Sequence, residues 1–568
     1  MVKLNVSAGR GLGRTTTTQE DWVRNPEWLT MPSPGANDGK IYLLVRIDQN
    51  TENYVGLYLN GSVSNTFTVD WGDGSTVQTY NYNTLPEYVY DYNNANLASS
   101  LTTEGYKQAI ITITVNINDY FAFFQLIPNA SSSRMVYYKG RFMEVILAAP
   151  NLQRFWTNSS TVWDLEYLES VTFVSATFNN FHYFLYGAYN LRNVVIGSNV
   201  GFLNNTNQNF DCSYMFMYCR KLSDATIHAL VDKLVNTPAT VYRMFYGCEE
   251  LITGPTINTS NTTDWYQTFG HCYKLRSIPL YDTSNVTRFY YAFINCYSLK
   301  RIPLLNTSSG TDFRAMFANC HSLTSVPHFD ISNGILLDSM FSACTNLDNI
   351  PHFNTSNATS MNSTFNSCVT LKTIPDFDYS SVTGLGFSQT FYGCYNLEKD
   401  EIVINTNITG SNSGLYRTFN GAKVKKVTIQ GDFIPTYIYA CRETFNGCVT
   451  LEEFNVTGTC DTSNVPWFYR MFTSCFSVKI SPTLDFSSST RNDNVFSNNF
   501  SREDINNITN VTENFWVDNC NLDATKLDAL FTNALGTVTG KTVYINNNPG
   551  AVTCNRTIAT GKGWTVVG

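Results

Sequence analysis

Apolar positions through the middle of this chain keep a fixed long interval rather than a helical or strand period. Phe245, Phe269, Phe293, Phe317, Phe341 and Phe365 recur every 24 residues, and three residues after each stands Cys248, Cys272, Cys296, Cys320, Cys344 or Cys368. Three further on come Leu251, Leu275, Leu299, Leu323, Leu347 and Leu371, and from the second copy an Ile-Pro or Val-Pro pair follows, as at Ile278-Pro279, Ile302-Pro303 and Val326-Pro327. Polar runs such as DTSNVT (282–287), NTSSGT (306–311) and NTSNAT (354–359) separate these apolar stretches. Asn, Asp, Ser and Thr bond their own backbone, so the polar runs read as turns. The Leu-x-x-Ile-Pro stretch reads as a strand of about four residues that stacks on its copies. A period of this length means one small unit copied and stacked, since a single copy cannot bury its apolar face. The fold class expected is therefore mainly β, with a solenoid of 24-residue coils that bury Phe, Cys, Leu and Ile against their copies.

The period loosens on both sides. Phe391 with Cys394, Phe445 with Cys448 and Phe472 with Cys475 keep the pair forward, Ala422 replaces the cysteine after Phe419, and Asn499 follows Phe496. Backward, Phe216 with Cys219 fits, and Ala188 stands in a cysteine position. Between Cys219 and Cys248 the segment 223–237 has Ile227, Leu230, Val231 and Leu234 at helical spacing, with Asp224 as the expected N-cap. Residues 522–536 repeat that pattern with Asp523 in the capping role.

Ahead of the repeats, residues 41–47, 54–59, 66–80, 88–92 and 106–117 alternate aromatic or β-branched residues with polar ones between turn signals, which predicts a small antiparallel β-sandwich. Residues 6–19 are Gly- and Thr-rich, and 21–34 carry Trp22, Arg24 and Trp28 among three prolines. A segment that cannot form its own core reads as a tail, or as an extended arm whose Trp22, Arg24 and Trp28 anchor it to a partner.

The repeat at 282–303 and its copy at 461–475 resemble the leucine-rich-like repeats of BspA-type bacterial surface proteins and of mycoplasmal surface lipoproteins. That resemblance, placed over roughly 140–520, implies a shared architecture and surface adhesion, not a reaction. The VDWGDG string (69–74), the following Tyr88, Tyr90 and Tyr92, and the ITITV strand resemble the PKD-type immunoglobulin-like domain. The resemblance implies that Trp71 packs in the core and that Asp73-Gly74 makes a tight turn. Asp70 and Asp73 fit turn chemistry better than calcium, which takes six or more oxygens. The whole order of modules, closing with 520–550 and GKGWTVVG, resembles structural proteins of tailed bacteriophages. It implies a virion protein assembled in the host cytoplasm.

Composition sharpens this. Charged residues make up 14% and aromatics 14% of 568 residues, with a net charge of −8, which offers no footprint for nucleic acid. No apolar stretch is long enough to cross a bilayer, and Met1-Val2-Lys3 opens no export signal. Phosphate-loop, dinucleotide, zinc-protease and serine-hydrolase motifs are absent, so no enzyme and no cofactor are expected. Fifteen cysteines cannot pair completely and show no zinc spacing; buried reduced thiols fit better than disulfides or metal. His328, His352 and Asp376 occupy one repeat position and would stack about 4.8 Å apart, which suits a metal, yet the preceding copies are Leu280 and Leu304, as expected of a variable outward position.

The division expected is an attachment arm at 1–40, a PKD-like sandwich at 41–118, a solenoid at 119–503 and capping repeats at 504–568. The function expected is a non-enzymatic virion protein, held by its N-terminal region to other virion proteins, whose solenoid binds a host surface glycan or protein receptor. The alternatives are a bacterial or protist surface adhesin and a purely structural decoration. Tyr273, Tyr290, Tyr291, Tyr297 and Tyr395 are the candidate recognition residues, since a flat ring stacks on a sugar at small entropic cost.

Overall fold

The computed structural model describes residues 22–49, 53–62, 65–119, 121–127, 141–157, 165–202, 211–234, 237–476, 478–480, 482–499 and 507–568. The Gly- and Thr-rich stretch at 6–19 lies outside them. The chain divides into two compact units, with the boundary between Asn285 and Val286.

The first unit opens with strands β1 (Lys40–Ile47), β2 (Asn53–Gly61), β3 (Thr66–Asp70), β4 (Gln78–Asn81), β5 (Glu87–Tyr90), β6 (Lys107–Thr114) and β7 (Phe121–Ile127). Then come β8 (Phe142–Ala148), β9 (Phe155–Trp156), β10 (Ser170–Phe178), β11 (Asn193–Phe202) and helix α1 (Asp224–Val231). The early strands form two antiparallel sheets, as their alternating pattern predicts. Trp71 is fully buried and stacks on Tyr88 at 4.8 Å, while the Tyr90 hydroxyl donates to the Trp71 carbonyl at 2.6 Å. Asp70 accepts the Gly72 N–H, and Asp73 accepts the Ser75 N–H and the Tyr88 hydroxyl, so both carboxylates serve the turn.

The sandwich and the first coils share their sheets. One sheet runs β11-β10-β8-β1-β6-β3-β4, in which β8, β10 and β11 are mutually parallel and β8 joins β1 antiparallel. The other runs β5-β2-β7-β9, with β9 parallel to β7. Parallel pairing of strands some 25 residues apart is what stacked coils produce. The sandwich therefore closes the open sheet edges of the first coils, which would otherwise be exposed templates for aggregation.

The described part of the expected arm, from Trp22 onward, is instead part of this core. Trp28 is 6% exposed and packs with Leu44, Tyr106 and Met143, with Trp22, Leu29 and Met31 against that cluster. Arg24 pairs with Glu144 at 2.7 Å and donates to the Trp28 and Leu29 carbonyls. Trp22 Nε1 donates to Glu169 at 3.1 Å. Two tryptophans supply enough apolar area to dock the segment on its own domain, even though it has too few apolar residues for a core of its own.

The second unit carries β12 (Glu398–Ile404), β13 (Ile408–Gly410), β14 (Lys423–Ile429), β15 (Phe433–Pro435), β16 (Glu453–Val456), β17 (Lys479–Ile480), β18 (Leu484–Asp485) and β19 (Ile508–Thr509). It closes with β20 (Phe515–Trp516), α2 (Ala524–Asn533), β21 (Lys541–Tyr544), α3 (Thr557–Thr560) and β22 (Trp564–Val567). All pairings among these strands are parallel, as in a solenoid.

The Leu-x-x-Ile-Pro stretches do not become four-residue strands. Between 286 and 397 the parallel contacts are isolated bridges, such as the run Arg288, Asp312, Leu336 and Ser360, or Asn349 with Thr373. Strands appear at β12, β14 and β16, whose sequences carry no proline. Proline has no N–H to give to a ladder, so the proline-bearing coils stay bridged rather than paired.

Regularity comes instead from stacked turns. In the coil at 289–296, Phe289, Tyr291, Phe293 and Asn295 donate N–H groups to carbonyls of the next coil, at Asp312, Arg314, Met316 and Ala318. Ala292, Ile294 and Cys296 donate within their own coil. Tyr291 and Asn295 take left-handed backbone (both φ 60°), as do Ala315 and Asn319, Ser339 and Ala343, and Ser363 and Ser367 on following coils. Non-glycine residues pay about 1–2 kcal/mol each for that conformation, and the inter-coil hydrogen bonds available only in the stack offset it.

The polar run is equally specified. In DTSN the Asp or Asn carboxyl or amide oxygen accepts the N–H two residues on, as Asp282 does from Ser284 and Asn354 from Ser356. The Thr turns inward and donates to the next coil: Thr307 to the Asp330 carbonyl and Thr355 to that of Asp378, both at 2.7 Å. Asn333 and Asn357 reach back to the Ser308 and Ser332 carbonyls at 2.8 Å.

Both helices form where helical spacing predicted them. Asp523 caps α2 through the Lys526 N–H at 2.9 Å. At α1 the cap is Ser223, not Asp224; Asp224 instead accepts the Ile252 and Thr253 N–H groups, tying the helix to the following coil.

Candidate functional site

Each coil presents the same inward residues and different outward ones. In the first unit Phe216, Phe245 and Phe269 stack at 5.8 and 5.2 Å, and in the second Phe293, Phe317, Phe341 and Phe365 stack at 5.5–5.7 Å with rings within 10° of parallel. All of these phenylalanines and Cys248, Cys272, Cys296, Cys320, Cys344 and Cys368 are buried, and all fifteen cysteines are free. Burial pushes the thiols of Cys248, Cys320, Cys344 and Cys368 up, that of Cys368 to about 12. The ladder is structural.

The outward residues of the turns are where the surface chemistry concentrates. In the first unit they are aromatic: Tyr183 stacks on Tyr214 at 4.7 Å, Tyr214 lies 5.3 Å from Tyr242, and Tyr242 stacks on Tyr266 at 4.8 Å. Beside them Tyr186, Tyr218 and Tyr246 form a second line, with Tyr246 at 4.8 Å from His271. Arg243 lies over Tyr242, Tyr246 and Tyr266, and Arg220 over Tyr189 and Tyr218. All these tyrosines are half-buried, with edges open to solvent. Desolvation holds the phenols of Tyr183, Tyr214 and Tyr242 above their ordinary range, so they remain neutral donors at physiological pH.

In the second unit the position of Tyr242 and Tyr266 runs through Tyr290, Arg314, Asp338 and Asn362 and is aromatic again at Tyr416 and Tyr469. Tyr439 lies 5.8 Å from Tyr416 and 5.1 Å from Trp467. Arg442 spans Tyr416, Tyr439 and Tyr469, and Arg491 covers Trp467 and Tyr469.

The expected recognition residues fall in different settings. Tyr273 joins the first unit's face, its hydroxyl 3.2 Å from His271 Nδ1. Tyr290 and Tyr291 stack at 4.0 Å, and Arg314 lies over the Tyr290 ring. Tyr297 stacks on His321 at 5.1 Å, and Tyr395 lies exposed against Gly421, whose left-handed φ of 83° and lack of a side chain make room for the ring. Tyr273, Tyr297 and Tyr395 beside the cysteines, with Tyr290 and Tyr291, leave out the line from Tyr183 to Tyr266. Its signal was present: Tyr242 and Tyr266 share one position 24 residues apart.

The metal row does not assemble. His328, His352 and Asp376 are exposed, Asp376 pairs with Lys399 at 2.7 Å, and among the described residues no group of three His, Cys, Asp or Glu is placed to hold a metal. No described helix is long and apolar enough to cross a membrane.

Residues 239–348 and 311–431 match the family model described as Mycoplasma protein of unknown function, DUF285. Solved structures similar to the chain include a leucine-rich-repeat protein of Leptospira interrogans, at 11% identity over 71% of this chain and 86% of that one with a TM-score of 0.20. The Drosophila Toll–Spatzle complex is another, at 11% identity over 76% of this chain and 62% of that one, TM-score 0.23. No curated protein matches the sequence.

Proposed function

We propose that this DUF285-repeat protein is a non-enzymatic surface protein that binds its target through the tyrosine- and arginine-rich turn face of its coils. The observation that carries the reading is the contrast within one repeat position. Inward residues hold steady from coil to coil, whereas the position three before the core phenylalanine runs Tyr242, Tyr266, Tyr290 and then Arg314, Asp338, Asn362. The fold accepts Arg, Asp or Asn there, so the tyrosines are not required for stacking. Half-exposed aromatic rings next to arginines are the composition of binding hot spots.

The bacterial or protist surface adhesin is thus the main reading, and the sandwich, with its PKD-like turn, is proposed as the module that closes the first coils. The order of modules in the sequence still suggests a virion protein. Trp22, Arg24 and Trp28 are committed to the chain's own core, so attachment to a particle would use another surface.

The test is binding of the full chain to immobilised mucin and to a panel of bacterial and animal surface polysaccharides. Saturable binding to one or more is the expected result. Absence of binding to every surface fraction overturns the reading.

A further inference from the structure

Arg243 and Arg417 occupy one place in the repeat, two residues before the core Phe245 and Phe419, with left-handed φ of 51° and 52°. On the next coil that place holds Gln267 and Glu443, at φ 54° and 53°. Both are nearly buried, at 9% and 7%. Arg417 donates Nε and Nη2 to the Glu443 carboxylate at 2.9 and 3.0 Å. Arg243 donates Nε to the Gln267 amide oxygen at 2.6 Å. The geometry is shared and the charge is not: an amide stands where the other unit has a carboxylate.

Among the described residues the Arg243 guanidinium pairs with no carboxylate, its side-chain bonds going to Gln267 and Tyr266. Its remaining contact is the Tyr266 hydroxyl, 3.4 Å from Nη2, and among the described residues Nη1 has no partner. Around it stand the rings of Tyr242, Tyr246 and Tyr266, with centroids 5.1–5.8 Å from the guanidinium carbon. A half-desolvated charge with open donors is costly until an anion pairs with it, and the planar fork suits a carboxylate. The adjoining tyrosine edges and hydroxyls, repeated coil after coil, suit successive sugar units rather than one isolated anion.

We propose that Arg243 is a carboxylate-binding subsite of the tyrosine face, and that the ligand class is an acidic polysaccharide of the uronate type. The carboxylate pairs with Nη1 and Nη2 while the sugar meets the open edges and hydroxyls of Tyr242 and Tyr246. This inference rests on the surface-binding function proposed above and specifies its ligand.

The test compares binding of the full chain to polygalacturonate, to its methyl ester and to neutral dextran, for wild type, Gln267→Glu and Arg243→Gln. Gln267→Glu recreates the Arg417–Glu443 pair, an arrangement this fold already accommodates, so the coil should melt as wild type. Expected is about a tenfold preference of wild type for the free acid over the ester, weakened by about 0.5 M salt and lost in both variants. Equal binding of acid and ester, or an undiminished preference in Gln267→Glu, overturns the subsite while leaving surface binding in place. Failure of wild type to bind any polysaccharide or mucin overturns both.

Discussion

The Cys320 thiol donates to the carbonyl oxygen of Phe293, 3.2 Å away on the preceding coil, and the same oxygen accepts the Cys296 N–H at 3.2 Å. The pattern repeats from Cys344 to Phe317, Cys368 to Phe341 and Cys394 to Phe365, and in the first unit from Cys272 to Phe245. The cysteine period thus has a cause. A small, mostly apolar side chain fills the turn and its weak donor satisfies a buried carbonyl, which a larger or more polar residue would do less well.

Replacing Cys320 with Ala should lower stability by about 1–2 kcal/mol, because the hydrogen bond and the sulfur's volume are lost while the carbonyl keeps one donor. Phe317→Ala, which opens the ring stack, should cost about 3–5 kcal/mol. Denaturant titration of both variants checks the order of the two effects. Equal, near-zero shifts would contradict the ladder.

Burial holds the thiols of Cys248, Cys320, Cys344, Cys368 and Cys394 above their ordinary range, and Cys460 alone is partly accessible. Native protein treated with a thiol reagent at pH 8 should therefore be modified at no more than one site, and unfolded protein at all fifteen. Mass spectrometry counts the additions. Several fast additions to native protein would count against buried, reduced cysteines.

Trp28→Ala should destabilise the first unit by about 3–5 kcal/mol, since it empties a site between Leu44, Tyr106 and Met143. A melting curve unchanged by the substitution would restore the picture of an arm independent of the sandwich.

Hydrogen bonds from Ser284 and Ser332, each from side chain and backbone, hold Asp282 and Asp330 below the usual carboxylate range; Ser463 does the same for Asp461, and Asn405 with Ser380 for Asp378. A depressed folded-state pKa gives stability that is present above the unfolded value and lost as pH falls through the folded one. The melting temperature should hold steady from pH 7 to about 5 and fall below about 4, the ordinary aspartate value. An increase in melting temperature below that point would contradict the role of these turns.

The coil and its core were legible in the sequence because burial demands the same residue at each copy, so Phe, Cys and Leu repeat in register. The strands were not, because Leu-x-x-Ile reads as β until the missing N–H of the following proline is counted. The arm was misjudged for a different reason: Trp28 finds its core in Leu44, Tyr106 and Met143, which lie up to 115 residues away in sequence and share no period with it. The tyrosine face was half visible, since Tyr273 was found through its neighbouring cysteine while Tyr183, Tyr214 and Tyr242 are joined only by coil stacking.

The most direct test of the binding face is the double variant Tyr242→Asn with Tyr266→Asn, which places at two coils the residue that Asn362 already supplies at the same repeat position. The account predicts a melting temperature close to wild type and at least about a tenfold loss of affinity for the surface polysaccharide or mucin that wild type binds. Full affinity in a variant that is properly folded would contradict it.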